Sequence, residues 1–315
     1  MALEEVKLVD ASSGSTAVVL VGAGFNCYKF NAMVGDAPID VLWSHPNFAS
    51  GKERPSHSGI PLLFPYPGRL RGKMLEYAGK SYELEGSDPH GNAIHGFCLT
   101  RPWEVVEHSA ARLVGRFHAS KIEPELLKKW PADFIVTVSY ELSGGTLASR
   151  ITIENPDDKP LPFGLGTHPY FRLPLGPNGT ADDCLVTVPV KSYWELVDML
   201  PSGKKLPATG SRGLADGLRF ADAKLDDIFT DVQFSGDQAA ATIVDPMNKR
   251  TLTVAFDNAF SQVVVYNPPH REAICIEPYT CVPDQFEMVK KGVVEAPQTL
   301  APGEKFACGY EIRIA

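Results

Sequence analysis

The chain contains no Cys-x-x-Cys pair and no cluster of cysteine and histidine with the spacing of a zinc site. Its six cysteines are scattered over 315 residues. We interpret them as reduced thiols that serve as small core residues, so we expect neither disulfides nor a structural metal. A glycine-rich phosphate loop is also absent, and the sequence therefore predicts no bound cofactor.

Runs of basic residues are missing as well. The 30 lysines and arginines are outnumbered by 38 acidic residues, which gives a formal net charge of -8 and argues against a nucleic-acid partner. No segment has the apolar length of a membrane span. The first ten residues carry four charges, unlike a secretory signal. We therefore expect a cytoplasmic protein, a monomer or homodimer, with no membrane partner.

What is abundant is the pattern of short strands and turns. Residues 134–142 alternate between apolar and polar side chains, Gly144 and Gly145 follow, and the alternation resumes at 147–153. This pattern predicts a β-hairpin. Similar strand-like segments, bounded by Gly, Pro, Asn or Asp, occur at 17–21, 112–118, 184–190, 251–256, 262–266, 272–277 and 305–314.

Helical patterns are rare, since only Glu125 to Trp130 resembles a helix. Strands therefore do not alternate with helices, which favours an all-β fold of antiparallel sheets packed face to face. Neither a repeat nor a low-complexity linker is present, so residues 1–315 are predicted to form a single β-sandwich domain. Long loops, where sites are often built, are expected at 44–61, 83–93, 154–162, 172–182 and 200–226.

Two histidines lie in unusual local sequences. His95 precedes a glycine in the segment 92–97, and His168 lies between Gly166 and Pro169, which favours extended backbone and close approach of another segment. Tyr170 follows and offers an aromatic wall for the apolar face of a ligand. Taken alone, His95 is more typical of a hydrogen-bonded structural position, and Tyr170 is equally typical of ordinary core.

Four charged residues are further candidates. Glu277 ends a predicted strand on the same face as Ala273 and Cys275, whose small side chains leave space for a ligand. Arg69 follows a proline-rich loop and carries a forked donor that suits sugar hydroxyls. Asp226 and Asp227 are adjacent carboxylates at the start of a strand. The alternative for Glu277 is a solvated strand end, and for Arg69 a solvated or salt-bridged position. For the two aspartates the alternatives are solvation and calcium binding.

Taken together, these segments resemble the aldose 1-epimerase (galactose mutarotase) family. The resemblance runs from about Gly59 to the C-terminus, and its most specific parts are His95-Gly96, the segment 167–171, and Glu277-Pro278 with the residues up to Asp284. It implies a large antiparallel β-sandwich of the galactose mutarotase type, with a sugar in an open cleft.

The resemblance also implies roles for single residues. Glu277 matches the catalytic base, His168 the catalytic acid and His95 a second active-site histidine. Arg69, Asp226 and Tyr170 are the substrate-binding residues, with Asp227 as the alternative to Asp226. Gly68 stands where many family members carry Asn, which removes one side-chain contact to the sugar.

The expected chemistry is interconversion of the two anomers of an aldose. A base removes the proton of the C1 hydroxyl, an acid protonates the ring oxygen, and the ring opens and closes again on the other face. This reaction needs no metal or nucleotide.

Three alternatives remain open. The first is a hexose-6-phosphate epimerase that holds phosphate with Arg71, Lys73 or Arg101. The second is a carbohydrate-binding protein of the same fold without catalysis. The third is a cupin-type metal oxygenase, which His90 and His95 fit poorly because cupin ligands usually include a close His-x-His pair.

Overall fold

The computed structural model describes residues 3–315, and most of them lie in short β-strands. In chain order the strands are β1 (Glu5–Val9), β2 (Thr16–Leu20), β3 (Asn26–Val34), β4 (Ala37–Asp40), β5 (Leu62–Leu63), β6 (Arg69–Leu70), β7 (Met74–Tyr77), β8 (Lys80–Glu83), β9 (Ala93–Ile94), β10 (Glu104–His108), β11 (Arg112–His118), β12 (Ile135–Ser143), β13 (Thr146–Glu154), β14 (Leu161–Pro162), β15 (Gly166–Thr167), β16 (Tyr170–Arg172), β17 (Leu185–Thr187), β18 (Val190–Val197), β19 (Leu200–Pro207), β20 (Leu218–Arg219), β21 (Asp226–Val232), β22 (Gln238–Asp245), β23 (Arg250–Asp257), β24 (Gln262–Tyr266), β25 (Ala273–Tyr279), β26 (Thr299–Leu300) and β27 (Lys305–Ile314).

Helical segments are short. The α-helices are α1 (Ala119–Ile122) and α2 (Gln285–Lys290), and the 3-10 turns are Phe48–Ser50, Cys98–Thr100, Pro124–Lys128, Ala181–Asp183, Gly210–Arg212, Leu214–Asp216 and Phe220–Asp222. The predicted helix at 125–130 is therefore a 3-10 turn that begins one residue earlier, at Pro124. Proline suits this first position because an N–H group there would have no acceptor within the turn, so nothing is lost when proline lacks it.

Two large antiparallel sheets form the sandwich. One has nine strands in the order β10-β11-β12-β13-β27-β23-β22-β17-β20, and the other has eight, β19-β18-β21-β24-β25-β15-β5 with β16 beside β25. Val136 and Ile151 of the first sheet belong to the same buried cluster as Val263 and Ile274 of the second. The core thus lies between the two sheets, where each such side chain contributes about 1.5–3 kcal/mol when fully buried.

The predicted hairpin is confirmed. Strands β12 and β13 pair in register from Ile135 opposite Glu154 to Ser143 opposite Thr146, with both glycines of the turn at positive φ. The all-β prediction is confirmed as well. The prediction of a loop throughout 200–226 is wrong, because β19 pairs with β18 there. As the edge strand of its sheet, β19 is exposed over much of its length and lacks the apolar alternation of an inner strand.

Strand β25 is buried on both faces. Ile274 and Ile276 point into the core between the sheets, and the alternation places Cys275 and Glu277 on the outer face, as predicted. On that face Tyr170 pairs with Cys275 across β16 and β25 and packs against it, while Glu277 borders open space. The loops that cover this outer face create the candidate site.

Candidate active site

An open cleft of about 630 Å³ lies over the outer face of the eight-stranded sheet. Its floor includes a row of cross-strand neighbours, Ile228, Val264 and Glu277, which face one another across β21, β24 and β25. Residues 54–57 and 86–89 form walls, and both segments lie in stretches predicted to be loops. The volume is in the range of small-molecule sites, about 300–1,000 Å³.

Glu277 and His168 meet in this cleft. Nε2 of His168 lies 3.3 Å from Oε1 of Glu277, and both side chains are almost fully buried. The position of His168 is fixed by the short strand β15 and by its backbone N–H, which donates to the carbonyl oxygen of Pro61 at 3.0 Å. Residues 109 positions apart in the chain are thus within reach of proton transfer.

Burial controls the protonation of this pair. It raises the pKa of the Glu277 carboxyl well above its ordinary value and lowers the pKa of the His168 imidazole well below its own. Both shifts favour the uncharged forms. In these uncharged forms the pair holds one proton, which lies on the carboxyl of Glu277.

Tyr279 is a contact of Glu277 that the sequence did not single out. Its hydroxyl donates to Oε2 of Glu277 at 2.8 Å. Because the two residues are two positions apart in β25, their side chains project from the same face. This spacing was a usable signal. The bond leaves Oε1 free to face His168 and the cleft.

Arg69 and His95 are brought together by a two-residue ladder, in which Arg69 of β6 pairs with Ile94 of β9. His95 and Gly96 both have positive φ, 66° and 71°, and Gly96 leaves no room for a Cβ, which would lie 2.0 Å from the carbonyl oxygen of Phe64. This backbone directs His95 to the cleft, where its ring centroid lies 5.7 Å from that of His168. Burial, and next the charge of Arg69, lower the pKa of His95 to about 3.

Asp88 is a second residue that the sequence did not single out. Its Oδ2 accepts a hydrogen bond from Nε of Arg69 at 2.8 Å, while Oδ1 accepts from the backbone N–H groups of His90 and Asn92. The carboxylate thus fixes both its own loop and the arginine. Within residues 3–315, the other side-chain nitrogens of Arg69 make no hydrogen bond or ion pair, and Arg69 lines the cleft.

The adjacent residues Asp226 and Asp227 lie in different environments. Asp226 lines the cleft, and burial raises its pKa against the opposing effect of Arg69. Asp227 lies on the other face of β21, where its Oδ1 accepts from Nε of Arg212 at 2.8 Å. The structure thus places Asp226, and not the alternative Asp227, at the cleft.

Tyr170 is the aromatic neighbour of His168. The two rings are parallel within 1°, with centroids 4.9 Å apart, and the tyrosine hydroxyl donates to the carbonyl oxygen of Ser56 at 3.0 Å. Tyr170 thus braces one side of the imidazole and ties it to the loop above. With it, all six side chains named from the sequence line one cleft, while their catalytic and binding roles stay predictions.

The residues suggested for a phosphate clamp lie elsewhere. Arg71 approaches Asp284 at 3.5 Å, and Arg101 forms ion pairs with Glu85 and Glu123. In the described part of the chain, neither arginine lines the cleft, nor does Lys73. Gly68 does line it, at φ +63° and with Pro283 3.0 Å from where its Cβ would be. An asparagine there would be strained.

One group of side chains has the composition of a metal site. The donor atoms of His168, Cys275 and Glu277 lie within 4.8 Å of one another. A metal would need the thiolate and the carboxylate, yet burial raises the pKa of both Cys275 and Glu277 well above their ordinary values. The group is thus better suited to holding a proton than a cation, and the expectation of a cofactor-free site remains a prediction.

Within residues 3–315, no helix has the length and apolar character needed to cross a membrane.

Comparison with known proteins agrees with this architecture. The chain is 24% identical to the uncharacterised protein YihR of Escherichia coli strain K12 over 229 residues, 71% of this chain and 70% of that protein. It is 24% identical to the uncharacterised protein YphB of the same strain over 274 residues, 82% of this chain and 83% of that protein.

Solved structures share the fold. A galactose mutarotase-like protein from Clostridium acetobutylicum superposes with a TM-score of 0.85 at 21% identity, over 100% of this chain and 99% of that one. Galactose 1-epimerase from Lactobacillus acidophilus superposes with a TM-score of 0.75 at 20% identity, over 100% and 99%. The family model described as aldose 1-epimerase matches residues 5–313. The chain therefore belongs to the aldose 1-epimerase family, as the resemblance of its motifs predicted.

Proposed function

We propose that this protein is an aldose 1-epimerase that interconverts the α and β anomers of a hexose without a cofactor. The observation that carries the proposal is the 3.3 Å contact between His168 Nε2 and Glu277 Oε1 at the floor of an open cleft. A hemiacetal presents two oxygens on one carbon, the C1 hydroxyl and the ring oxygen. An acid and a base in contact can address both at once.

In the proposed reaction, Glu277 takes the proton of the C1 hydroxyl while His168 gives one to the ring oxygen. The C1–O5 bond breaks and an open-chain aldehyde forms. Rotation about C1–C2 and the reverse transfers close the ring on the other face. The pair needs one proton in total, which matches the protonation favoured by burial. Transfer of this proton from the carboxyl of Glu277 to the imidazole of His168 gives the reactive form.

The remaining side chains position the sugar. Arg69, held by Asp88, and Asp226 offer a donor and an acceptor for ring hydroxyls at the cleft. His95 stays uncharged at neutral pH because its pKa is about 3, so it serves as a neutral hydrogen-bonding partner near the ring. A preference for a free hexose over its 6-phosphate is favoured, since none of Arg71, Lys73 and Arg101 lines the cleft in the described part of the chain.

The test is mutarotation of freshly dissolved pure anomers, followed by polarimetry, over free and phosphorylated aldoses. We expect at least one free hexose to equilibrate faster than in buffer, and Glu277→Gln to lower the catalysed rate by about 10²–10⁴-fold, the usual contribution of a general base or acid. Glu141→Gln, on the exposed face of the opposite sheet, is the matched control and should retain full activity.

The alternative of a binding protein without catalysis makes a different forecast. It would bind a sugar in calorimetry yet leave the spontaneous rate unchanged for every aldose. That outcome would contradict the proposal. Faster turnover of a hexose 6-phosphate than of the free hexose would instead overturn the substrate preference while leaving the chemistry in place.

A further inference from the structure

A separate cavity of about 390 Å³ lies further along the outer face of the eight-stranded sheet. Its floor continues that of the cleft by two residues, from Ile228 to Thr230 in β21 and from Val264 to Gln262 in β24. Side chains two positions apart in a strand share a face. In the described part of the chain, no residue lines both the cleft and this cavity.

An apolar layer separates the two spaces. Tyr279 and Val282 belong to one buried cluster with Met288 of α2. Tyr279 and Pro283 line the cleft, whereas the three residues between them, 280–282, line the separate cavity. The segment 279–283 is therefore a partition, and a ligand on its far side would not occupy the cleft.

The chain that follows α2 forms an ordered outer wall of this cavity, which includes Val293. The ammonium group of Lys291 donates to the carbonyl oxygens of Pro201 and Ser202 at 3.3 and 3.2 Å, which ties this wall to the edge strand β19. Gly203 allows the close approach, since its φ is +100° and a Cβ there would lie 3.0 Å from Val293. A wall that is already ordered costs little to engage, which favours binding.

Three carboxamide side chains line the cavity, and the oxygen of each is already engaged. Oε1 of Gln262 accepts from the indole N–H of Trp194 at 2.8 Å. Oε1 of Gln298 accepts from the hydroxyl of Thr280 at 2.7 Å, and Oε1 of Gln285 accepts from the backbone N–H of Gln298 at 3.0 Å.

The carboxamide nitrogens are less engaged. Within residues 3–315, Nε2 of Gln298 makes no hydrogen bond, and Nε2 of Gln262 makes one, to the hydroxyl of Ser261 at 3.2 Å. A carboxamide nitrogen carries two N–H groups. These two side chains therefore offer the cavity donors and not acceptors.

The charge of the cavity is positive. Lys205 lines it with its ammonium group 5.1 Å from the ring centroid of Trp194, and the same group pairs with Asp231 at 2.8 Å. Among the described residues, no carboxylate lines this cavity. Burial raises the pKa of Cys281 to about 12, so this lining thiol is uncharged at neutral pH.

We infer that this cavity is a binding site for a small carboxylic acid in its anionic form. The N–H groups of Gln262 and Gln298 and the ammonium group of Lys205 suit the two oxygens of a carboxylate. Trp194 and Val282 provide apolar surface for the body of the acid. A sugar fits poorly, because its hydroxyls also need acceptors. The inference goes beyond the proposed function and does not depend on it.

The test is the binding of benzoate to the full chain by ligand-observed NMR, with benzyl alcohol as the uncharged analogue of similar size. We expect a Kd on the order of 1 mM for benzoate, since so small a ligand forms few contacts. Benzyl alcohol should bind at least about tenfold more weakly, because it lacks the charge that strengthens hydrogen bonds from the cavity.

Two variants address the donors. Gln298→Glu keeps an oxygen for Thr280 but replaces the N–H donor with a negatively charged oxygen, so it should weaken benzoate binding at least about tenfold. Lys205→Met, on the edge strand β19, should weaken it at least about threefold. Gln238→Glu adds the same charge at the exposed start of β22 and should leave the affinity unchanged. Circular dichroism checks that each variant is folded.

Arg69→Gln distinguishes this cavity from the cleft, where Arg69 is the alternative partner for an anion. Benzoate should bind this variant as it binds the wild type. Three results would overturn the inference: no saturable binding of benzoate at about ten times the expected Kd, equal affinity for benzyl alcohol, or binding that Arg69→Gln removes while folded Gln298→Glu and Lys205→Met proteins retain it. None of these results depends on mutarotation, so the failure of this site and of the proposed function are separate outcomes.

Discussion

At the scale of single residues, we expect Tyr279 to tune Glu277, the proposed base. Its hydroxyl donates to Glu277, and this bond lowers the pKa of the carboxyl against the larger effect of burial. Tyr279→Phe should therefore raise the pKa of Glu277 further and disfavour the ionised form that accepts the proton. Since a hydrogen bond to a charged group is worth about 1.5–3 kcal/mol, we expect the alkaline limb of kcat/KM to move up by about one pH unit.

The pH dependence of kcat/KM distinguishes this positioning role of Tyr279 from a purely structural one. A variant that is merely less stable would lose activity at all pH values without moving the limb. An unchanged alkaline limb in a folded Tyr279→Phe protein would show that the tyrosine does not act on Glu277.

Single residues also show what the sequence could and could not supply. His95, His168 and Glu277 stand out because Gly and Pro neighbours mark unusual backbone. Asp88 carries no such local mark, because its partner Arg69 lies 19 residues away. A role that consists of a tertiary contact leaves no trace in a single sequence.

At the scale of elements, the pairing of β6 with β9 aligns Arg69 and His95. Gly96 lets this ladder approach Phe64, so Gly96→Ala should force the chains apart and destabilise the protein by about 2 kcal/mol or more. Gly72→Ala is the matched control, because Gly72 has a similar φ of +64° and open space around it. It should cost only the backbone strain, about 1–2 kcal/mol.

Chemical denaturation of both variants measures the difference. Equal losses of unfolding free energy would contradict the close approach at Gly96. Elements of this kind are hard to predict, since two-residue strands such as β6 and β9 have no detectable period, whereas the nine-residue strands β12 and β13 could be predicted with their turn.

At the scale of the whole molecule, buried uncharged histidines make the fold sensitive to acid. The unfolded chain binds a proton on His95 below its usual pKa of 6.5, while the folded protein keeps that imidazole neutral down to about pH 3. Lowering the pH through this window therefore favours unfolding. Between pH 6 and pH 4, His95 should account for a loss of about 1 kcal/mol per pH unit.

Denaturation of His95→Asn at pH 6 and pH 4 measures this contribution. The variant should lose less stability on acidification than the wild type, whereas His108→Asn, on the exposed strand β10, should behave like the wild type. Identical pH dependence in all three proteins would show that His95 is not buried in its neutral form.

The sandwich as a whole was predictable because its long strands carry clear periods and its motifs fall in family order. The burial of both faces of β25 could not be predicted, because it depends on the loops that fold over the outer face of this strand. Those loops, and not the strands, define the shape of the cleft.

The most direct measurement is the rate of anomer exchange by NMR for the wild type, Glu277→Gln, His168→Asn and the double variant. If the two residues act as one proton-transfer unit, each single change should remove most of the catalysed rate, and the double change should remove little more. Two single variants that each keep at least half of the wild-type rate would contradict the central role of this pair.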